Sequence, residues 1–322
     1  MIKIGSVKID TKAILAPMAG CTDLAFRLTC REEGTKFCFY EMLDANSITR
    51  RRINASKIIK TIEADSPVAA QILGSDPELV LNAANILLGH VKTPILDINC
   101  ACPARKVIRK KAGAYLLHDL SMLCRILKKV SSSVNIPVTV KLRVGFDRRD
   151  EEHIVRIAKS CQDNGAKAIF VHGRLATQLY SGGIDYGAIK LMKDSVDIPV
   201  IGSGNVFSPE AAKKMIDETG CDGVLVARGA LGSPWLPADI ERYLKTGKLP
   251  EAKDTAHKRK IVKKHIDYAN THMDIRQAMK VGFMRKILIW YTKGFPEAAR
   301  IRANITSVKN YEELIPLIDT IF

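Results

Sequence analysis

The sequence lacks the features of a membrane-spanning, secreted or zinc-binding protein. No apolar run approaches the ~18 residues that span a bilayer, and the N-terminus has neither the apolar block nor the cleavage site of a secretory signal. The eight cysteines include no C-x-x-C pair, and Cys100 and Cys102 have poor spacing for a tetrahedral metal site. We therefore expect a cytoplasmic protein with no metal and no membrane partner, whose cysteines are mostly small core residues.

Acidic residues are also scarce. Asp and Glu total 34 against 50 Lys and Arg, which gives a formal net charge of +16 at pH 7. This imbalance favours a polyanionic partner such as nucleic acid, although a membrane surface or general ribosome association would also explain it. Residues 253–309 alone contain fourteen Lys or Arg and four Asp or Glu, a local excess of ten. That excess predicts a docking surface rather than an ordinary solvated helix face.

Short apolar runs alternate with helical patterns over most of the chain, which predicts parallel strands joined by helical crossovers. The first run is followed by Pro17-Met-Ala-Gly-Cys-Thr22 rather than the G-x-G-x-x-G turn of a doubly wound sheet. We therefore predict an α/β fold with a closed (β/α)8 TIM barrel. The candidate strands are 13–16, 37–40, 68–72, 95–98, 138–142, 168–171, 199–201 and 223–226, and the candidate helices include 23–33, 77–88, 120–130, 151–164 and 209–219.

A polar segment with Gly and Pro, residues 245–253, predicts a linker after the barrel. Four helical patterns joined by short loops follow it, which predicts a small C-terminal all-α helical bundle. We therefore divide the chain into a catalytic barrel, residues 1–244, and a helical domain, residues 253–322. The predicted helices of the second domain cover residues 257–273, 275–291, 297–305 and 311–321.

Polar side chains stand at nearly every predicted carboxyl end of a strand, where barrel enzymes have their active sites. Lys141 at such an end could contact a flavin ring oxygen or form a Schiff base. The amides of Gln71 and Asn99 favour the flavin, because they match the donor and acceptor edge of an isoalloxazine or a uracil. The strand-end residues are Pro17 to Ala19, Glu41, Gln71, Asn99 with Cys102, Lys141 with Arg143, His172 with Arg174, Ser203 to Asn205, and Ala227 to Gly229.

The turns after the last two predicted strands point to a phosphate. They read Ile201-Gly-Ser-Gly-Asn205 and Val226-Ala-Arg-Gly-Ala230. Glycine lets backbone N–H groups approach an anion, and barrels often bind phosphate at these two turns. Arg228 would supply a full positive charge there.

The segment from Asp97 to Lys111 is the most informative part of the chain. A predicted strand ends at a turn that contains Asn99 and Cys102. We expect a helix to begin at Pro103, and five cations lie among the eight residues that follow it. A thiol in this position can give or take a proton beside a bound anion. The alternative is a buried cysteine pair behind an ordinary basic helix.

These motifs resemble, in order, those of the tRNA-dihydrouridine synthases, and the resemblance runs from about Lys3 to Lys309. Each motif alone is moderately specific, whereas the ordered set is highly specific. The motifs are Leu15-Ala-Pro-Met-Ala-Gly-Cys-Thr-Asp23, Tyr40-Glu-Met42, Asp97-Ile-Asn-Cys-Ala-Cys-Pro-Ala-Arg-Lys106, Val138-Thr-Val-Lys-Leu-Arg143, Val171-His-Gly-Arg174, Ile201-Gly-Ser-Gly-Asn205, Arg228-Gly-Ala-Leu-Gly-Ser-Pro-Trp235 and Met284-Arg-Lys-Ile-Leu-Ile-Trp-Tyr-Thr-Lys-Gly-Phe295.

The resemblance implies an FMN enzyme that reduces uridine in tRNA to 5,6-dihydrouridine with electrons from NADPH, and we expect the protein to be a monomer. It implies that Asn99 holds the target base, that Cys102 protonates C5 after hydride transfer to C6, and that Arg174 stabilises charge on the base. It places RNA contacts on the basic loop with Arg105 and Lys106 and on the helical tail with Arg285 and Lys286. The FMN contacts that it implies are Pro17, Met18, Ala19, Gln71, Lys141, His172, Ser203, Gly204, Asn205, Ala227 and Arg228.

The sequence departs from the family pattern at several positions. Ala101 and Ala227 stand where the family usually has Gly, Ser203 and Asn205 stand where it has Asn and Asp, and Ile287 stands where it has His. Two other functions remain open: a barrel flavoenzyme acting on a small pyrimidine or enone, and a non-catalytic RNA-binding protein on a barrel scaffold. The first does not account for the basic tail, and the second predicts a protein without bound flavin.

Overall fold

Eight parallel strands close into a barrel in the computed structural model, which describes residues 1–50 and 59–322. An antiparallel hairpin precedes the barrel, with β1 at Ile2–Ile4 and β2 at Val7–Ile9. The barrel strands pair in chain order, and the last one pairs with the first, which closes the cylinder. They are β3 (Ala13–Leu15), β4 (Cys38–Asp44), β5 (Val68–Leu73), β6 (Leu96–Cys100), β7 (Val138–Gly145), β8 (Ile169–Leu175), β9 (Val200–Ser203) and β10 (Gly223–Val226).

Helices follow the strands and cover the outside of the barrel. Asp76 and Ser208 cap two of them at the N-terminus, and Pro occupies the first helical position in both. Gly220 ends a helix with φ of +68°, a conformation that glycine adopts without strain. The helices are α1 (Leu24–Glu32), α2 (Ala45–Thr49), α3 (Pro77–Leu88), α4 (Arg105–Ile108), α5 (Leu120–Ser131), α6 (Glu151–Asp163), α7 (Tyr186–Asp194), α8 (Pro209–Thr219) and α9 (Leu236–Thr246).

The predicted barrel is confirmed, with corrections at the ends of strands. β4, β7 and β8 run three or more residues past their predicted ends, so polar residues that were expected in turns still belong to strands. Helix α9 runs to Thr246, two residues into the segment expected to be a linker. The hairpin of β1 and β2 and the helices α2 and α7 were not predicted.

The hairpin closes the amino-terminal end of the barrel. Ile2, Ile4 and Ile9 are buried and pack in one cluster with Phe39 and Phe170 from inside the barrel. This burial removes the apolar lower layer of the barrel from water. The cylinder is therefore open only toward the carboxyl ends of its strands, within the described residues.

Four helices follow the barrel and form the predicted bundle. They are α10 (Thr255–His272), α11 (Gln277–Tyr291), α12 (Ala298–Ser307) and α13 (Tyr311–Ile321), and their apolar side chains share one buried core. Across residues 1–50 and 59–322, none of the helices is both long and apolar enough to cross a bilayer.

The bundle docks on α1 of the barrel. The ring of Phe26 stacks on His265 at 5.5 Å between centroids and meets Trp290 edge-on at 5.8 Å. At the rim of this contact, the Tyr268 hydroxyl donates to Glu32 at 2.7 Å, and His257 Nε2 lies 2.9 Å from Glu33. A buried aromatic contact with a polar rim holds the two parts of the chain in one orientation.

A buried ion pair anchors the same helix to the barrel from the other side. Arg27 and Asp65 have fully buried side chains and form a bidentate pair, with the shortest contact at 2.7 Å. The Arg27 guanidinium also donates to the carbonyls of Thr22 and Lys60, so its donors are satisfied around it. Thr22 belongs to the turn after β3, and the pair therefore fixes that turn.

Removing the Asp65 carboxylate should strongly destabilise the fold. Asp65→Ala leaves the Arg27 guanidinium buried and unpaired, which costs about 3–5 kcal/mol in comparable sites. We expect a loss of that size in the free energy of unfolding, measured by urea denaturation. The matched control Asp217→Ala breaks the exposed pair with Lys213 and should change stability little. Equal effects from both variants would contradict this account of Arg27.

Candidate active site

A cavity of about 320 Å³ opens at the carboxyl ends of the barrel strands. All the residues predicted to contact the cofactor line it, together with Asn99 and Cys102. Residues far apart in sequence meet there because parallel strands present their carboxyl ends at one side of the barrel. The lining residues that the sequence predicted are Pro17, Met18, Ala19, Gln71, Asn99, Cys102, Lys141, His172, Ser203, Gly204, Asn205, Ala227 and Arg228.

Strand register sets the height of these side chains in the barrel. Asn99 on β6 lies beside Lys141 on β7, and His172 on β8 lies beside Ser203 on β9. Lys141 and Arg143 are two residues apart on β7, so they point to the same face, and both line the cavity. The polar residues therefore form two adjacent layers at the mouth of the barrel.

A chain of buried hydrogen bonds crosses β5, β6 and β7 and fixes the orientation of both amides. The Thr139 hydroxyl donates to Asp97 at 2.6 Å, and Gln71 Nε2 donates to the other Asp97 oxygen at 2.7 Å. Asn99 Nδ2 then donates to Gln71 Oε1 at 2.8 Å. Reversing the Gln71 amide would place donor against donor and acceptor against acceptor, so Asp97 determines which group each amide presents.

The same chain ends on the backbone that carries Cys102. Asn99 Oδ1 accepts hydrogen bonds from the N–H groups of Ala101, at 3.1 Å, and Cys102, at 3.0 Å. The remaining Asn99 hydrogen points at Met42 Sδ, 3.4 Å from Nδ2, which is a weak acceptor that a better one can replace. Asn99 thus positions the thiol and keeps one donor that can turn to a ligand.

The loop after Cys102 differs from the predicted helix. Pro103 does not begin a helix; α4 starts at Arg105 and lasts one turn. The loop then folds back, and the Ala114 N–H donates to the Cys102 carbonyl at 3.1 Å. Gly113 is required at this crossing, since its φ is +62° and a Cβ would lie 2.7 Å from the same carbonyl oxygen. The thiol is half-buried at the cavity wall.

Cationic side chains line the cavity, among them Lys141, Arg143 and Arg228. Burial, together with the nearby charge of Arg143, lowers the pKa of Lys141 to about 8, and the charge of Asp97 opposes this shift. Burial also lowers the pKa of His172 to about 2, helped by the nearby charges of Lys141, Arg143, Arg174 and Arg228, so its imidazole is neutral. The Lys141 ammonium forms no hydrogen bond with the described parts of the chain. These cations favour a ligand with negative charge or carbonyl oxygens.

The two glycine-bearing turns meet on one side of this cavity. Gly204 has φ of +124°, and a Cβ there would lie 2.4 Å from Ile184 and 3.0 Å from His172. Asn205 also has positive φ, and its side-chain oxygen accepts from Arg174 at 3.1 Å. The N–H groups of Gly204, Asn205, Arg228 and Gly229 make no hydrogen bonds within residues 1–50 and 59–322. Free N–H groups beside a guanidinium suit an anion.

Several predicted substrate contacts lie outside the cavity. Arg174 is buried beside His172, and its guanidinium holds the loop after β8 through the carbonyls of Ser181 and Gly182. Arg105 and Lys106 are exposed on α4. Arg285 is partly buried and donates to the Val308 carbonyl inside the bundle. Lys286 reaches across to the Gly20 carbonyl in the turn after β3 and lies 3.9 Å from the Phe283 ring centroid.

The sequence reasoning missed several lining residues, among them Met42, Tyr180 and Phe207. Tyr180 lies on the loop after β8 and Phe207 on the loop after β9, and the Arg228 guanidinium lies 4.5 Å from the first ring and 5.7 Å from the second. The position of Phe207 shortly after a predicted strand end is a signal that could have identified it. Tyr180 is too far from its strand for that rule.

The departures from the family pattern fit their local surroundings. Ala101 has no positive φ, so it does not require glycine. Asn205 keeps the acceptor for Arg174 that an aspartate would offer. Ile287 is completely buried in the core of the bundle, away from the cavity. Among the described residues, no cluster of three His, Cys, Asp or Glu side chains could hold a metal ion.

A closed parallel barrel with a polar, charged cavity at the carboxyl ends of its strands defines the class of barrel enzymes. The family model described as dihydrouridine synthase (Dus) matches residues 14–321. A tRNA-dihydrouridine synthase B of Pseudomonas aeruginosa is 37% identical over 313 residues, which are 96% of this chain and 92% of that protein. A probable tRNA-dihydrouridine synthase of Rickettsia prowazekii is 34% identical over 96% of this chain and 94% of that protein. The chain belongs to the dihydrouridine synthase family of enzymes.

Solved structures share the barrel at low sequence identity. A morphinone reductase variant in complex with tetrahydroNAD has a TM-score of 0.56 and 13% identity, and the alignment covers 79% of this chain and 92% of that one. The BexX/CysO complex of Amycolatopsis orientalis gives a TM-score of 0.51 and 16% identity over 79% of this chain and 98% of that one. These likenesses confirm the fold.

Asp97 should make the free energy of unfolding depend on pH. Burial raises its pKa to about 7, against the hydrogen bonds from Thr139 and Gln71. The folded protein therefore binds this proton more tightly than the unfolded chain, and the resulting stability is complete below about pH 4 and lost as pH rises through 7. Asp97→Asn keeps the shape, and its oxygen can still accept from Gln71.

The measurement is urea denaturation of the wild type and Asp97→Asn across this range. The wild type should lose on the order of 2 kcal/mol relative to the variant between about pH 5 and pH 7.5. A difference between the two proteins that stays constant with pH would contradict the raised pKa of Asp97.

Proposed function

We propose that this enzyme reduces uridine in tRNA to 5,6-dihydrouridine, with FMN bound in the cavity and NADPH as the reductant. The observation that carries the proposal is the placement of the Cys102 thiol on the wall of a cavity that also presents amide donors and cations. Family membership supports the tRNA substrate. The barrel, residues 1–244, would hold FMN, and residues 253–322 would contact the RNA.

The lining residues fit FMN at both of its ends. The turns at Gly204 and Arg228 offer free N–H groups and a guanidinium to a phosphate. Gln71 and Lys141 present donors to ring carbonyl oxygens, and the apolar surfaces of Pro17, Met18 and Ala227 suit the face of a flat ring. Bound and reduced by NADPH, FMN would supply the hydride for C6 of uracil.

The chain's own residues would then bind the base and supply the proton. Asn99 Nδ2 can leave Met42 Sδ and donate to a uracil carbonyl oxygen, where negative charge develops as C6 is reduced. The Cys102 thiol protonates C5 from across the base. Asp97, through Gln71 and Asn99, keeps the Cys102 backbone in place during this transfer.

The target base must leave the RNA stack to reach the cavity. Extrusion of a nucleotide costs a few kcal/mol, which contacts to the RNA backbone can offset. Arg105 and Lys106 on α4, near Cys102, are exposed and can contact phosphates. The basic helices of the bundle continue this surface, and Lys286 joins them to the turn after β3.

Loss of the Cys102 thiol should abolish most dihydrouridine formation. Removal of a general acid lowers kcat by about 10²–10⁴-fold, and binding of tRNA should be unchanged. We expect tRNA from cells lacking the gene to lose dihydrouridine at specific positions, and the wild type but not Cys102→Ala to restore it. Cys124→Ala, a half-buried cysteine on α5, is the matched control.

Two outcomes would contradict the proposal. Full rescue by Cys102→Ala would remove the thiol from the reaction. Reduction of free uridine or another small enone at rates that tRNA does not match would point to the small-molecule barrel oxidoreductase instead.

The phosphate contact predicts a selective effect on FMN. Arg228→Ala should weaken FMN by about 10–100-fold, as expected for a charge-assisted hydrogen bond, and leave the affinity for riboflavin, which has no phosphate, unchanged. Fluorescence titration of flavin-free protein measures both affinities. Equal weakening of the two flavins would show that Arg228 acts elsewhere, and a purified protein without any flavin affinity would contradict the cofactor assignment.

A further inference from the structure

A second cavity adjoins the first at the seam between the barrel and the bundle. It has a volume of about 390 Å³ and shares the residues Phe207, Arg228, Gly229 and Leu231 with the active-site cavity. The bundle supplies its opposite wall, which includes Trp290, Lys293 and Phe295. Phe207 carries the one aromatic ring among these four shared residues, and we treat that ring as the partition between the cavities. Apart from the shared turn at Arg228 and Gly229, no residue that lines this second cavity has a part in the proposed chemistry.

The walls of the second cavity combine cations with aromatic rings. Lys253, Lys258 and Lys293 line it beside Arg228, and no lining residue in the described parts of the chain is acidic. Lys293 Nζ lies 5.0 Å from the Phe207 ring centroid, and Lys258 Nζ lies 5.7 Å from that of Phe295. Lys253 pairs with Asp239 at 3.6 Å, so among the lysines of this wall Lys258 and Lys293 have no ion pair with the described residues.

Phe207 is unusual for a protein surface, since this large apolar residue is 45% exposed. Exposed Leu179 and Tyr180, at 52% and 57%, belong to the neighbouring loop at the same cavity mouth. Grouped exposed apolar side chains of this kind mark binding surfaces. Cations and aromatic rings together suit nucleotides, because the cations attract phosphate and the rings contact bases.

We propose that the second cavity binds the nucleotide next to the target uridine, with Phe207 separating the two bases. This inference rests on the proposed function, because it assumes that a uridine of RNA enters the first cavity. A strand with one base in each cavity is unstacked at that step, and the Phe207 ring fills the space between the bases. Lys258 and Lys293 contact the phosphates that flank the neighbouring nucleotide. We favour RNA over a dinucleotide as the ligand of this cavity, because the positively charged surface continues from the cavity across the bundle.

The first test removes the two unpaired lysines in the whole flavin-loaded enzyme. Lys258→Ala/Lys293→Ala should weaken tRNA binding about 10–100-fold and lower the slope of log Kd against log salt by one to two. The KM for NADPH and the flavin content should remain unchanged. The matched control is Lys3→Ala/Lys8→Ala, two exposed lysines on the hairpin at the far end of the barrel.

Each outcome of this test decides the inference. Wild-type binding by the double variant, or equal weakening by the control, would overturn it. A raised KM for NADPH with unchanged tRNA binding would overturn it in favour of a site for the adenosine phosphate of the reductant. Failure of the wild type itself to bind tRNA would instead contradict the proposed function.

The second test addresses the partition. Phe207→Leu keeps an apolar side chain and removes the ring, whereas Phe207→Tyr keeps the ring. We expect Phe207→Leu to lower kcat about tenfold at saturating tRNA and Phe207→Tyr to restore it. With 2-aminopurine placed beside the target uridine, binding to Phe207→Leu should give a smaller fluorescence change than binding to Phe207→Tyr. Identical kcat and fluorescence for the two variants would overturn the role of Phe207.

Discussion

Closure of the barrel through pairing of β10 with β3 is the constraint on which the remaining structure depends. A closed parallel sheet has one set of carboxyl ends, so eight loops must converge on one opening. Gln71, Asn99, Lys141 and His172 are dispersed over a hundred residues of sequence, yet strand register brings them to two adjacent layers. Once the barrel is closed, the chemistry at its open end depends on which polar residue lies at the carboxyl end of each strand.

The mouth of the barrel gathers four cations, of which Arg143 and Arg174 are buried, near the buried acidic side chain of Asp97. The charges of Lys141, Arg143, Arg174 and Arg228 all lower the pKa of His172. Asp97 lies below these cations in the barrel, and burial raises its pKa. Like charges in a desolvated site repel one another unless a ligand of opposite character completes the site. In the free protein, Arg143 and Arg174 direct their guanidinium groups to loop carbonyls, and these hydrogen bonds offset part of the repulsion. The same cations are therefore needed both to hold the loops in the fold and to bind a ligand.

The sequence predicted the barrel, the bundle and many of the residues that line the first cavity. These predictions succeeded because a short apolar run followed by polar residues is a local pattern that marks the end of a strand. In a closed barrel the carboxyl ends of all strands lie at one opening, so the pattern also predicts where those polar residues lie. The predictions failed where position depends on long-range contacts. Arg143 reaches the carbonyls of Leu175 and Leu179 across a loop, and the docking of Phe26 on His265 joins residues more than two hundred positions apart.

The roles of single residues were harder to predict than their location. Arg174 follows His172 on β8 and was expected to meet the substrate, yet its side chain supports the loop that carries Tyr180. Arg285 and Lys286 are adjacent in sequence, but a helix turns one into the bundle and the other toward the barrel. The position of each residue around the helix axis sets the direction of its side chain. The spacing of the cations in the sequence does not by itself reveal that direction.

In the proposed reaction, the hairpin at the amino-terminal end would impose an order of events. Ile2, Ile4 and Ile9 close the lower end of the barrel, so a reductant and an extruded base would both have to reach a bound flavin through the opening at the carboxyl ends of the strands. If the two cannot occupy that opening together, flavin reduction and uridine reduction alternate, and an RNA bound early would delay the reduction of the flavin.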